Sequence, residues 1–163
     1  MIASRLKLIL SDIISPTQSA FVLGRLITCN ILVAFECFHK ISHSRSSFNT
    51  HCAYKLDLAK TYDRVDWGYL EGALHKLGFD NTWIQWVMCC VKSMTYSVKL
   101  NGELLESFSP SRGLRQGDPL SPYLFLFVAY GLSLLLKKEA AEGTISPIKV
   151  ARWRPGISNL LFA

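Results

Sequence analysis

Three aspartates, at positions 57, 63 and 66, fall within the ten residues that close the segment Lys55-Leu-Asp-Leu-Ala-Lys-Thr-Tyr-Asp-Arg-Val-Asp66. Asp57 alternates with apolar neighbours, as on the polar face of a short strand. A carboxylate there is costly unless a cation meets it. Aspartates at a strand end are also how enzymes hold the divalent metal that activates a hydroxyl and neutralises a leaving phosphate. From spacing alone, the competing reading is Asp57 in a salt bridge with a nearby Lys or Arg. A second stretch, Ser111-Arg-Gly-Leu-Arg-Gln-Gly-Asp-Pro-Leu-Ser-Pro122, packs two glycines, two arginines, a glutamine and an aspartate into one polar turn. Such turns, when they open onto a buried helix, are places where a chain touches a phosphate or a nucleotide.

The elements that must position these residues are mixed. Ala3 to Leu10 reads as a helix broken at Ser15-Pro16. Leu26 to Ile41 reads as a second helix, with Ile27, Ile31, Ala34, Phe35 and Phe38 on its apolar side. Ser42 to Thr50 is a polar, serine-rich loop. Ala53 to Leu58 alternates as a short strand, with Tyr54, Leu56 and Leu58 facing one way. Leu70, Ala73, Leu74 and Leu77 mark a helix ending at Gly78, and Trp83, Ile84, Val87, Met88 and Val91 mark the next. Tyr96 to Leu100 and Glu103 to Phe108 flank Asn101-Gly102, the signature of a β-hairpin with a type I′ turn. Tyr123 to Leu136 is an apolar run suited to a buried helix. Helices interleaved with strands and an antiparallel hairpin predict an α+β fold.

Composition bounds the function classes. With 163 residues, half of them apolar and 18% charged, the chain is one domain's worth of globular sequence and not a disordered tail. The net charge of +6 favours an anionic partner, nucleic acid first. Five cysteines without a C-x-x-C pair argue for a reducing, intracellular setting and against a disulfide framework. Cys37, His39, His43 and Cys52 match no standard zinc spacing and read as ordinary helix-end residues. The sequence shows no secretory signal, and its longest apolar run is too short to cross a bilayer, so no membrane partner is expected.

Read together, the segments resemble the reverse transcriptase domain of non-LTR (LINE-type) retrotransposons, especially those of plants. Four blocks carry the resemblance in order: Ser15 to Leu32, similar to a fingers motif; Lys55 to Trp67, similar to the first palm motif; Arg112 to Pro122, similar to the second; and Ile157 to Ala163, similar to the approach to the third. The resemblance implies a partial right-hand polymerase fold, with residues 1–50 fingers-like and 51–163 an incomplete palm. It implies template-directed nucleotidyl transfer with two Mg2+ ions, an RNA template, a DNA primer and dNTP.

Roles then follow position by position. Asp57 matches the catalytic aspartate that binds both metals, and the carbonyl of Leu58 a further metal ligand. Tyr62 matches the steric gate beneath the sugar, where a rigid ring excludes a 2′-hydroxyl; without the resemblance it would read as a core tyrosine. Gln116 and Gly117 match residues lining the incoming nucleotide and the template base. Arg25 matches a fingers arginine facing phosphate, with a plain surface charge as the alternative. Asp63, Asp66 and Asp118 are expected to order turns and helix starts. Cys29 and Tyr130 depart from the pattern, which has an aspartate and a glutamate there. The pattern continues past Ala163 with two adjacent aspartates and starts ahead of Ile2. The chain therefore reads as truncated at both ends and inactive by itself, since two-metal chemistry needs carboxylates from both palm motifs. The alternative to an enzyme part is a retrotransposon relic that at most binds nucleic acid.

Overall fold

The computed structural model describes residues 2–43, 51–57, 60–151 and 153–162. Its elements are α1 (Ile2–Ile13), α2 (Ile27–Ser42), a 3-10 turn (Tyr62–Arg64), α3 (Trp67–Lys76), α4 (Asn81–Lys92), the strands β1 (Lys99–Leu100) and β2 (Glu103–Leu104), and α5 (Ser121–Ala141). The chain is thus mixed, helical with one small antiparallel sheet, and it forms two compact units. Residues 58–128 make one; residues 1–57 and 129–163 make the other.

In the 58–128 unit, α3 and α4 each start at a capping aspartate. Asp66 accepts the Tyr69 N–H at 2.7 Å ahead of α3, and Asp80 accepts those of Thr82 and Trp83 at 2.8 and 3.3 Å ahead of α4. These caps satisfy amide donors that have no partner inside the helix. α3 ends where Gly78 takes a φ of +83°, a left-handed stop that suits glycine. The two helices bury Leu70 and Leu74 on one side and Ile84, Val87, Met88 and Val91 on the other. Each such side chain contributes about 1.5–3 kcal/mol by leaving water. Phe79 stacks on Trp83 at 4.5 Å and meets Phe127 edge-on at 5.3 Å. Phe127 belongs to a run, Leu124 to Phe127, in which four consecutive side chains are buried, so this stretch of α5 is packed all round.

The hairpin forms as its turn residues dictate. Asn101 and Gly102 have φ of 50° and 93°, the paired positive values of a type I′ turn. Lys99 faces Leu104 and Leu100 faces Glu103, yet further out Tyr96 pairs with Phe108. The register therefore slips by one residue between these pairs, which is a bulge in the second strand.

In the other unit, α1 buries Leu6 and Leu10, and the loop after it carries buried Gln18 and Ser19. The first and last sequence blocks meet here. Leu161 donates its N–H to the Thr17 carbonyl at 3.0 Å, and Asn30 donates to the carbonyls of both Thr17 (2.8 Å) and Leu161 (3.0 Å). Fully buried Ser133 accepts from Asn159 at 3.2 Å, and Ile148 pairs with Ile157 antiparallel.

Two sequence expectations need correction. Residues 51–57 form no strand among the described residues; Tyr54 and Leu56 are 84% and 61% exposed. An alternating pattern becomes a strand only when a neighbour accepts its backbone hydrogen bonds, and among the described residues none is paired with it. α2 forms as expected, but its one buried residue is Asn30, while Ile27, Ile31, Phe35 and Phe38 are exposed. The helix is anchored by an amide and not by its apolar stripe. The expected loop at Ser42–Thr50 lies mostly outside the described residues, and α2 itself runs through Ser42.

Candidate functional site

Three sequence-assigned residues, Tyr62, Gln116 and Gly117, line a single cleft of about 420 Å3 within the 58–128 unit. Asp118, Pro119, and Ser121 and Pro122 at the start of α5 complete its lining. The volume is in the range of small-molecule sites. The cleft exists because two segments some fifty residues apart are tied by their backbones. Leu114 donates its N–H to the Tyr62 carbonyl, and Gly113 donates to the Val65 carbonyl, both at 2.8 Å. The Trp67 indole N–H then donates to the Gly113 carbonyl, also at 2.8 Å. The Tyr62 ring is set against Phe125, with centroids 5.0 Å apart and planes at 19°. Burial pushes the Tyr62 phenol pKa above its ordinary value, because the phenolate loses hydration there.

The two glycines of the turn do different work. Gly117 has a φ of +85° and open space where a Cβ would stand; its backbone conformation, and no close neighbour within the protein, is what calls for glycine. Gly113 has a φ of +96°, and a Cβ there would lie 3.1 Å from the Asp63 carbonyl oxygen. Asp118 accepts the Leu120 N–H at 2.7 Å, so it orders the entry into α5, as Asp66 orders α3. The exposed Gln116 side chain is placed at the cleft to donate and accept hydrogen bonds. The start of α5, with the positive end of its dipole, adds a place suited to anionic groups.

Asp57 and Arg25 belong to the other unit. Asp57 is exposed and takes part in neither of the ion pairs found among the described residues, Lys92–Glu71 and Lys138–Glu142. Leu58, the second assigned metal ligand, lies outside the described residues. Arg25 turns back onto its own loop. Its guanidinium donates to the carbonyls of Ser15 (2.6 Å), Gln18 (2.8 Å), Ser11 (2.9 Å) and Ile14 (2.9 Å). Two of these carbonyls are at the end of α1, where a cation also meets the negative end of the helix dipole. His39 and His43 stack at 4.2 Å, and burial, with Glu36 behind it, raises the Cys37 thiol pKa.

The sequence did not single out Trp67 or Gly113, although both hold the cleft. A tryptophan directly after a capping aspartate carries a signal of its own, since a partly buried indole N–H needs an acceptor. Nothing in the sequence says which carbonyl that is.

The chain matches the family model described as "Reverse transcriptase (RNA-dependent DNA polymerase)" over residues 1–159. It belongs to that family. This reverse transcriptase domain is 33% identical over 138 residues to a transposon TX1 protein of Xenopus laevis, covering 85% of the chain and 10% of that protein. It is 47% identical over 64 residues to an uncharacterized mitochondrial protein of Arabidopsis thaliana, covering 39% of the chain and 52% of that protein. A Pol polyprotein of the retrotransposable element R2 of Popillia japonica is 30% identical over 112 residues, covering 68% of the chain and 16% of that protein. The domain therefore spans about half or less of each of these relatives. Reverse transcriptases normally use a divalent metal. Among the described residues of this domain no three His, Cys, Asp or Glu side chains gather in a group that could hold one. No described helix is long and apolar enough to cross a membrane.

Proposed function

We propose that this chain is the nucleotide-lining part of an RNA-directed DNA polymerase of the non-LTR, LINE-type class, of plant origin, with residues 1–50 as fingers and 51–163 as part of a right-hand palm. The observation that carries the reading is the cleft in which Tyr62, Gln116 and Gly117 converge, since the resemblance ties all three to the nucleotide and Tyr62 is about fifty residues from the other two. The retrotransposon relatives support the class, and the Arabidopsis relative supports the origin.

The chain's own residues bind and orient the nucleotide. The Tyr62 ring, backed by Phe125, forms a flat apolar floor that a 2′-deoxy sugar fits and a 2′-hydroxyl does not. Gln116 hydrogen-bonds at the open side, and the exposed Gly117 backbone admits the nucleotide closely. Asp57 and the Leu58 carbonyl keep their assignment as ligands of two Mg2+ ions in the complete enzyme. RNA template, DNA primer and dNTP are the partners of that complete enzyme.

Primer extension on a primed RNA template with Mg2+ and dNTP tests the proposal. A longer parent chain should incorporate nucleotides, Asp57→Ala should abolish this, and Tyr62→Ala should admit ribonucleotides. The 163-residue polypeptide should incorporate none. Extension that survives Asp57→Ala would refute the assignment. A longer chain that binds primed RNA without extending it would favour the non-enzymatic relic, a reading to which the net charge of +6 also lends support.

A further inference from the structure

We propose that Trp67 is a positioning residue that fixes the spacing between the Tyr62 turn and the 113–117 turn, and thereby sets how sharply the cleft separates 2′-deoxy from 2′-hydroxy nucleotides. This rests on the nucleotide reading of the cleft given above. Trp67 is not among the residues lining the cleft, so it acts through others.

Tyr62 sits in a 3-10 turn of only three residues. Within the turn it is held by short local bonds, Asp63 N–H to the Lys60 carbonyl at 3.1 Å and Arg64 N–H to the Thr61 carbonyl at 3.2 Å. Such a short turn does not define its own distance from a segment fifty residues away. That distance is set at three successive polar groups: the Gly113 N–H, the Gly113 carbonyl and the Leu114 N–H. The first and third pair with backbone. The middle one is held by the Trp67 indole, the one side chain in the set. Gly113 is buried, so its carbonyl has little access to water if the indole N–H is removed.

The other end of the lever is rigid. Trp67 is the first residue of α3, directly after the capping Asp66, and α3 is set into the core by the fully buried Leu70 and Leu74. The chain of support therefore runs from the core through α3 and the indole to the Gly113 carbonyl, and from there to Gln116 and Gly117. Gly113 completes the device by permitting an approach to Asp63 that a Cβ at 3.1 Å from the carbonyl oxygen would obstruct.

The test uses the 163-residue protein with Trp67→Phe, which keeps a ring and removes the donor, and Trp67→His, which restores a ring N–H. Amide exchange and calorimetric titration with dATP and with ATP are the two readouts. Trp67→Phe should speed exchange at Gly113, Leu114 and residues 115–118 while α4 keeps its protection, and should narrow the dATP-over-ATP preference by about fivefold, the worth of one ordinary hydrogen bond. Trp67→His should recover part of both. Unchanged exchange in the turn overturns the proposal, and so does faster exchange spread equally over α3 and α4. An unchanged dATP-to-ATP ratio alongside a loosened turn overturns its specificity half. If the unaltered protein shows no preference that Tyr62→Ala abolishes, the nucleotide reading itself fails, and the exchange data alone decide whether Trp67 holds the turn.

Discussion

Replacing Arg25 with alanine should destabilise the protein in the absence of any nucleic acid. Four guanidinium N–H groups reach four main-chain carbonyls, at 2.6–2.9 Å. A hydrogen bond from a charged donor contributes roughly 1.5–3 kcal/mol when its surroundings are dry. Here the Ser11 carbonyl is exposed and the other three are partly buried, so water replaces much of what is lost. A net loss of about 3 kcal/mol is then reasonable. For a chain of this size that corresponds to a melting temperature lower by roughly 6–12 °C. Arg25→Lys should recover only about a third of it, because one ammonium cannot span four acceptors arranged around a planar fork. Urea unfolding followed by circular dichroism gives the numbers, with an unchanged slope as the check that only stability moved. If Arg25→Ala unfolds within about 0.5 kcal/mol of the unaltered protein yet binds nucleic acid more weakly, the carbonyl clamp is unimportant and the phosphate-facing role expected from sequence is the right one.

Three further outcomes can be measured on the same protein. Gly113→Ala, which combines a left-handed φ with the approach to Asp63, should lose about 2–4 kcal/mol, while Gly117→Ala, with φ strain alone, should lose about 1 kcal/mol; equal losses would contradict the distinction. Asp80→Ala should lower stability by about 1 kcal/mol through its cap on α4, and Asp80→Asn should retain most of it, as thermal unfolding would show. For Tyr62, a phenol pKa raised by burial means that the folded protein keeps its proton after the unfolded chain has released its own. Stability is therefore complete below about pH 10 and falls as pH climbs through the folded-state value. Tyr62→Phe should flatten that alkaline decline in unfolding curves taken between about pH 9 and pH 11, and an equally steep decline in the variant would assign it to other groups.

What the sequence discloses and what it conceals divide along physical lines. The helix periodicities of α3 and α4 and the Asn101-Gly102 turn are local properties, so they could be read directly, and the structure places them within a few residues of expectation. The convergence of Tyr62 with Gln116 and Gly117 was legible only through the resemblance, because nothing local to residue 62 names residue 116. The strand expected at 53–58 does not form over its described residues, 53–57, for the complementary reason: alternation is local, but pairing needs a neighbour. The carbonyl clamp of Arg25 and the Trp67–Gly113 bond were concealed because their acceptors are backbone, which every residue carries and no residue type advertises.

The unit composed of residues 1–57 and 129–163 has a consequence for how the chain comes off the ribosome. One of its closing bonds joins Asn30 to the Leu161 carbonyl, 131 positions along the chain. The 58–128 unit is continuous and can close as soon as it has left the exit tunnel. Residues 1–57 cannot, because their partners in residues 129–163 are made after that unit. At about 5–20 residues per second they wait on the order of 5–20 s for their closing segment. Throughout that interval the exposed apolar face of α2 and the loop around Gln18 are available to any holding chaperone, so synthesis imposes a fixed order of assembly, the continuous unit first and the two-segment unit after it.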